Sequence, residues 1–107
     1  MIEIRHYITE SGVDVFGEWL LNLSDERAKA RISARITRLV AGNYGDWKAL
    51  QNGVCELRVD YGPGYRVYFA RISNEIVLLL CGGDKRRQTA DLKKAIAYWK
   101  QYQESEP

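Results

Sequence analysis

Arginine and tyrosine side chains surround a Gly-Pro-Gly turn in the second half of the chain, and their types suit the binding of a phosphate. Arg58 lies before the turn, Arg66 lies after it, and Tyr61 and Tyr65 flank it directly. A second basic cluster follows the next apolar run and consists of Lys85, Arg86 and Arg87. Arginine can hold a phosphate through two parallel hydrogen bonds, and tyrosine can stack on a base or donate a hydrogen bond. Neighbouring antiparallel strands would bring these residues together, which makes a concave polyanion site possible.

The same cations also have a purely structural interpretation. Arg58 and Arg66 could pair with acidic residues across a sheet, as many exposed strand charges do. The acidic residues available for such pairing are Glu56, Asp60 and Glu75. Spacing alone does not decide between ion pairing and phosphate binding.

Other catalytic and ligand-binding patterns are missing from the sequence, which has no GxGxxG, P-loop or GxSxG motif. His6 shares a strand face with isoleucines, so we expect a core or edge histidine. Cys55 and Cys81 lack the spacing of metal ligands, and we expect free thiols, with a cross-strand disulfide as the alternative. The sequence therefore predicts neither a metal site nor a cofactor.

Length and charge limit the possible function classes. A chain of 107 residues with 46% hydrophobic residues predicts a single compact domain. The net charge of +2 is too small to indicate nucleic-acid binding by itself, so the location of the cations matters more than their number. No signal peptide is recognisable, and no apolar run approaches the roughly 18 residues that span a bilayer. We expect a cytoplasmic protein without a membrane partner.

Three strands must position the cations. Residues 54–60 alternate, with Glu56 and Arg58 on one face and Leu57 and Val59 on the other. The second strand is expected at residues 65–72, and the apolar run at residues 76–80 predicts a central strand that is covered on both faces. The segment Cys81-Gly82-Gly83-Asp84 is expected to end the sheet.

Helices are predicted on both sides of this meander. An opening strand at residues 2–8 precedes a helix at residues 12–22, capped by Thr9 or Ser11, and a second helix begins near Ser24. Residues 42–53 indicate an ordered loop, and a last helix is expected to end near Tyr102, with residues 103–107 as a frayed tail. The predicted fold is a small single-domain α+β protein in the order β-α-α-β-β-β-α. A helical hairpin and a C-terminal helix pack on its antiparallel meander sheet.

The exposed side of the second helix carries a row of cations, namely Arg27, Arg31, Arg35 and Arg38. Solvation and local pairing with Asp25 and Glu26 is the favoured interpretation of this row. Contact with RNA or with a partner protein is the alternative.

Several consecutive motifs resemble the RelE/ParE toxin superfamily, and within it the phage-derived, HigB-like addiction-module killer proteins. They are Glu-Leu-Arg at 56–58, Gly-Pro-Gly-Tyr-Arg-Val-Tyr-Phe at 62–69, Gly-Gly-Asp-Lys at 82–85, then Gln88 and Asp91. The order of helices and strands over nearly the whole chain is similar to that family as well. The resemblance implies the toxin of a type II toxin-antitoxin system.

Members that resemble this pattern are mostly ribosome-dependent mRNA interferases, each neutralised by a helix-turn-helix antitoxin encoded nearby. By this resemblance Arg66 matches the strand arginine that contacts the scissile phosphate, and Arg58 and Lys85 match further basic positions. Tyr61, Tyr65, Arg86 and Arg87 are the expected RNA-binding residues. The C-terminal catalytic tyrosine of RelE has no match, since Asp91 occupies roughly its position.

The implied reaction is attack of a ribose 2′-hydroxyl on its own 3′-phosphate, without a metal. Arg66 is expected to stabilise the charge on the phosphorane, with Lys85 and Arg58 assisting. The general base stays open between Lys85, Asp91 and a tyrosine. Two other functions remain as alternatives: a ParE-like poison of DNA gyrase, and a catalytically inactive module that only binds its antitoxin.

Overall fold

The computed structural model of the chain describes residues 1–105 and shows a mixed α+β domain. The strands are β1 (Glu3–His6), β2 (Trp47–Ala49), β3 (Val54–Val59), β4 (Tyr65–Ser73) and β5 (Ile76–Asp84). The helices are α1 (Val15–Leu21), α2 (Glu26–Val40) and α3 (Gln88–Ser105), and a 3₁₀ turn at Lys85–Arg87 leads into α3. The predicted α+β class and the order of the main elements are confirmed.

One five-stranded sheet with the order β1-β5-β4-β3-β2 forms the centre of the described chain. The meander β3-β4-β5 is antiparallel, as predicted, whereas β1 pairs with β5 in parallel. The parallel pairing arises because the α1-α2 hairpin carries the chain across one face of the sheet before β2 begins. Strand β5 lies between β1 and β4, and Val77 through Leu80 are fully buried, which confirms the prediction of a central strand.

Each face of the sheet is covered by different helices. Leu57, Val67 and Phe69 pack on the α1 and α2 side, in a core cluster that includes Phe16 and Ile32. Val54, Tyr68 and Leu78 belong to the second cluster, which includes Ala95 of α3. The alternation predicted for β3 is confirmed, because Glu56 and Arg58 share the α3 side with Val54.

The prediction that the sheet ends at Cys81-Gly82-Gly83-Asp84 is wrong, since β5 continues through Asp84. The two glycines permit close packing on both faces and do not end the strand. A Cβ at Gly82 would lie 2.2 Å from the Trp19 ring, and a Cβ at Gly83 would lie 1.8 Å from an Asp91 oxygen. Their small size lets α1 and α3 approach this end of β5.

Several predicted boundaries need correction. Asp14 caps α1 through the Gly17 amide, so the helix begins later than predicted from Thr9 or Ser11. Asp25, one residue after Ser24, caps α2. The predicted loop at residues 42–53 contains β2, whose three residues are too few for a recognisable alternation. Residues 103–105 continue α3, and residues 106 and 107 of the predicted tail lie outside the described chain.

Arg35 does not belong to the solvated row of cations on α2. Its guanidinium donates hydrogen bonds to the backbone carbonyls of Tyr44, Asp46 and Arg58. Burial lowers the pKa of the Arg35 guanidinium from its ordinary value. Arg35 therefore connects α2 to the segment that enters β2 and to β3.

The remaining predictions concern the histidine and the cysteines. His6 is exposed at the edge strand β1, and its Nδ1 atom lies 2.9 Å from Asp14 Oδ1, which confirms a satisfied edge histidine. Cys55 and Cys81 are buried free thiols, as predicted. Within residues 1–105, no helix is both long and apolar enough to cross a membrane.

Candidate functional site

Arg58, Arg66 and Lys85 lie close together at one end of the sheet. Arg58 on β3 and Arg66 on β4 are direct register partners, and Arg66 also pairs in register with Gly83 of β5. Lys85 follows β5, and its amide donates a 2.7 Å hydrogen bond to the carbonyl of Gly64 in the turn between β3 and β4. A Cβ at Gly64 would lie 3.5 Å from Lys85 Cβ and 3.7 Å from Arg66 Nη1, so this turn joins the two cations. We call Arg58, Arg66 and Lys85 the cationic site.

Arg66 is the most enclosed cation of the site. Its side chain is 12% exposed, and its Nε atom lies 3.5 Å from Oε1 of Glu56, which is 2% exposed. Its Nη1 atom donates a 3.2 Å hydrogen bond to the carbonyl of Tyr65. The ion-pairing interpretation of the sequence thus holds for Arg66 with Glu56, although most of the guanidinium donors are still free to bind an anion.

Arg58 is held by a more exposed carboxylate. Its Nη2 and Nε atoms lie 3.1 Å and 3.2 Å from Oδ1 of Asp46, whose side chain is 56% exposed. The backbone carbonyl of Asp46 accepts hydrogen bonds from the Arg58 amide and from the Arg35 side chain. Arg35 and Asp46 therefore fix the position of Arg58 from outside the sheet.

Local contacts distinguish Arg86 from the other two cations that follow β5. Asp84 caps the 3₁₀ turn by accepting a hydrogen bond from the Arg86 amide, and it also pairs with the Arg86 guanidinium at 3.2 Å. These contacts with Arg86 lower the pKa of the Asp84 carboxyl. All three cations are exposed, but Arg86 is partly neutralised by Asp84, so Lys85 and Arg87 can bind an anionic ligand more readily.

The two tyrosines that flank the turn lie on the opposite face of the sheet. Tyr65 is 8% exposed, and its ring lies 6.2 Å from the ring of Trp19. Burial raises the pKa of the Tyr65 hydroxyl. Tyr61 packs on the same face, beneath the guanidinium of Arg31 at 4.7 Å. The structure does not bring either ring together with the cationic site.

Asp91 lies in the first turn of α3, behind Gly83, and is 6% exposed. Removal from water raises the pKa of its carboxyl, and the positive charges of Lys94 and Arg87 oppose that rise. Among the atoms of residues 1–105, its Oδ2 is a buried oxygen without a hydrogen-bond partner. Asp91 is thus next to the cationic site, because Gly83 pairs with Arg66, but it is shielded from solvent.

Buried polar residues between the sheet and α3 were not recognised from the sequence. Glu56 accepts a 3.3 Å hydrogen bond from Nε2 of Gln88, the first residue of α3. Tyr68 is fully buried, and desolvation together with the nearby Glu56 and Asp91 carboxylates raises the pKa of its hydroxyl. The alternation of β3 already placed Glu56 beside Arg58. Its burial depends on where α3 packs, which no local pattern reveals.

A separate groove of about 930 Å³ lies between residues 6–11 and the end of α3, and shares no residue with the cationic site. Among residues 1–105, no three His, Cys, Asp or Glu side chains come together in an arrangement that could hold a metal ion. Within the described part of the chain, the cationic site is therefore the main functional candidate, because several positive charges come together there beside the turn.

An uncharacterized bacterial protein is similar to most of this chain. No protein-family model matches the chain. An uncharacterized protein of Haemophilus influenzae is 52% identical to it over 80 residues, which are 75% of this chain and 81% of the relative. Identity at this level over most of both chains indicates common descent and a common fold. The chain therefore belongs to the same protein family as this Haemophilus influenzae protein.

Proposed function

We propose that the chain is the toxin of a type II toxin-antitoxin system and that it cleaves mRNA on the ribosome. The proposal combines the resemblance of its motifs to HigB-like members of the RelE/ParE superfamily with one structural observation. Arg58, Arg66 and Lys85 come from three different segments and converge at the same end of the sheet. Such convergence of cations suits a phosphate of an RNA backbone.

The proposed reaction is an internal transfer at the phosphate. The ribose 2′-oxygen loses its proton and attacks the adjacent phosphorus, and the bond from phosphorus to the 5′-oxygen of the next nucleotide breaks. The products are a 2′,3′-cyclic phosphate and a 5′-hydroxyl end, which takes up a proton. Arg66 donates hydrogen bonds to the phosphorane oxygens, while Arg58 and Lys85 contribute positive charge.

Proton removal needs a group that can reach the 2′-oxygen. Lys85 is exposed next to Arg66, whereas Asp91 is 6% exposed behind Gly83. Exposure therefore favours Lys85 as the group that contacts the substrate. Asp91 has a raised carboxyl pKa, closer to neutral pH than usual, and would act only if α3 moved away from Gly83.

The proposed setting is the cytoplasm, where translating ribosomes and mRNA are found. The proposed partner is a helix-turn-helix antitoxin that is encoded nearby. Tyr61 and Tyr65 are left out of the RNA contacts, since both pack on the other face of the sheet.

The test is incubation of the purified protein with translating ribosomes on a defined mRNA, followed by mapping of RNA ends. We expect new ends at positions within the translated codons, and none on the same mRNA without ribosomes. A parallel assay measures supercoiling by DNA gyrase. Intact mRNA together with inhibited gyrase would replace the proposal by the ParE-like alternative, and inactivity in both assays would favour the antitoxin-binding module.

A further inference from the structure

Glu56 has its carboxylate buried within the sheet, where a charge is energetically unfavourable. It lies in the middle of β3 and is 2% exposed, where an ionised side chain is costly unless charges and hydrogen bonds compensate it. Two side chains provide this compensation: Arg66, with Nε at 3.5 Å, and Gln88, with Nε2 at 3.3 Å. Glu56 is therefore connected at once to β4 and to the start of α3.

The contacts of Arg66 leave one side of its guanidinium available. Its Nε atom is buried and lies 3.5 Å from Glu56 Oε1, an ion-pair contact in which Nε makes no hydrogen bond within residues 1–105, and its Nη1 atom donates to the Tyr65 carbonyl at 3.2 Å. The third nitrogen, Nη2, makes neither of these contacts. Because a guanidinium is planar and rigid, the charge attraction at Nε and the hydrogen bond at Nη1 together set the direction of Nη2.

We propose that Glu56 is a positioning residue for Arg66, and that Gln88 keeps Glu56 in place from the first turn of α3. This inference rests on the proposed function, in which Arg66 binds the phosphate. Glu56 itself is buried and does not touch the substrate. Its carboxylate holds the guanidinium in the orientation that the phosphorane requires, so no reorientation is needed during the reaction.

The kinetic test compares Glu56→Gln and Gln88→Leu with the wild type in the ribosome cleavage assay. Glu56→Gln keeps the shape of the side chain and removes its charge. We expect kcat to fall about 10-fold in Glu56→Gln and less in Gln88→Leu, with KM nearly unchanged, because ribosome binding uses other surfaces. Glu75→Gln, at an exposed residue of the β4-β5 turn, is the matched control and should keep the wild-type kcat.

An NMR measurement probes the surroundings of the Arg66 guanidinium. The Nε–Hε signal of Arg66 reports on the environment of this atom, and we expect it to shift in both variants and to stay unchanged in Glu75→Gln. An unchanged Arg66 signal, or a shifted signal with unchanged kcat, would overturn the inference. If Glu56→Gln fails to fold, kcat and the Arg66 signal are both measured on Gln88→Leu alone.

The same pair of measurements separates this inference from the proposed function. If the wild-type protein does not cleave mRNA, the proposed function fails, and the Arg66 signal still decides whether Glu56 orients the guanidinium. If the wild type cleaves mRNA while the Arg66 signal and kcat do not respond to Glu56→Gln, the positioning role alone is wrong.

Discussion

Arg58 and Arg66 lie directly opposite each other on neighbouring antiparallel strands, and each is paired with a different carboxylate. Like charges in register normally destabilise a sheet, so the two carboxylates compensate this pair. The carboxylates differ in exposure, since Asp46 is 56% exposed and Glu56 is 2% exposed. If the cationic site binds a phosphate, we expect the phosphate to displace Asp46 from Arg58 and Glu56 to remain beside Arg66.

Arg66→Lys should reduce mRNA cleavage by roughly 10²-fold. Lysine keeps a positive charge beside the buried Glu56 but lacks the planar fork, and loss of one transition-state donor costs roughly 10²–10³ in rate. The measurement is single-turnover cleavage on programmed ribosomes. Arg71→Lys is the matched control on the same strand, since Arg71 stacks on Tyr44 and Trp47 away from the site. Equal rates for Arg66→Lys and the wild type would remove Arg66 from the reaction.

Arg35→Ala should destabilise the fold by about 2–3 kcal/mol, because three backbone carbonyls lose a charged donor. Arg38 lies on the same helix and is exposed, so Arg38→Ala should change stability by less than about 0.5 kcal/mol. Urea denaturation of the two variants measures both values. Equal stabilities of the two variants would show that Arg35 contributes no more to the stability of the fold than Arg38.

The sequence predicted the central features of the fold because they follow local periodicity. Strand β3 was recognisable from the alternation of its residues, and strand β5 from its apolar run followed by basic residues. The parallel pairing of β1 and the burial of Glu56 depend on contacts between distant segments. Tyr65 differs from these, because it directly precedes Arg66 on β4 and strand alternation alone places the two side chains on opposite faces.

Gly83→Ala should destabilise the protein by about 1–3 kcal/mol, because the new methyl group would overlap the Asp91 carboxylate. Combining Gly83→Ala with Asp91→Ala removes the overlap. The double variant should therefore be at least about 1 kcal/mol more stable than the sum of the single effects predicts. A double-mutant cycle in urea measures this coupling, and simple additivity would contradict the proposed packing of Asp91 against Gly83.

The raised pKa of Asp91 predicts a pH-dependent effect of Asp91→Asn. When the pKa of a carboxyl is higher in the folded state than in the unfolded state, its protonation stabilises the fold. This contribution is fully present at pH values below the unfolded-state pKa, which is ordinarily 3.8. This contribution is lost as pH rises through the folded-state pKa. The wild type should thus lose stability relative to Asp91→Asn as pH rises above the ordinary carboxyl pKa of 3.8. Urea midpoints at several pH values measure the difference, and a constant difference would contradict burial of the charge.

The exposed face of α2 is the proposed contact for an acidic segment of the antitoxin. Arg27 and Arg31 line a shallow depression there together with Ala30 and Ala34. Replacing both arginines by glutamate should weaken antitoxin binding and slow association at low salt. Lys93 and Lys100 are exposed on α3, and the same charge reversal there provides the matched control. Surface plasmon resonance measures both rates, and equal losses in the two double variants would indicate only a general charge effect.

The chemical nature of the RNA ends tests the central claim most directly. Products of the ribosome assay are treated with polynucleotide kinase, which phosphorylates a free 5′-hydroxyl, and with a phosphatase that opens 2′,3′-cyclic phosphates. We predict 5′-hydroxyl and cyclic phosphate ends at the cleaved position with the wild-type protein, and strongly reduced amounts of both with Arg66→Lys. Ends with 5′-phosphate and 3′-hydroxyl groups, or equal product from Arg66→Lys, would contradict 2′-hydroxyl attack at a phosphate held by Arg66.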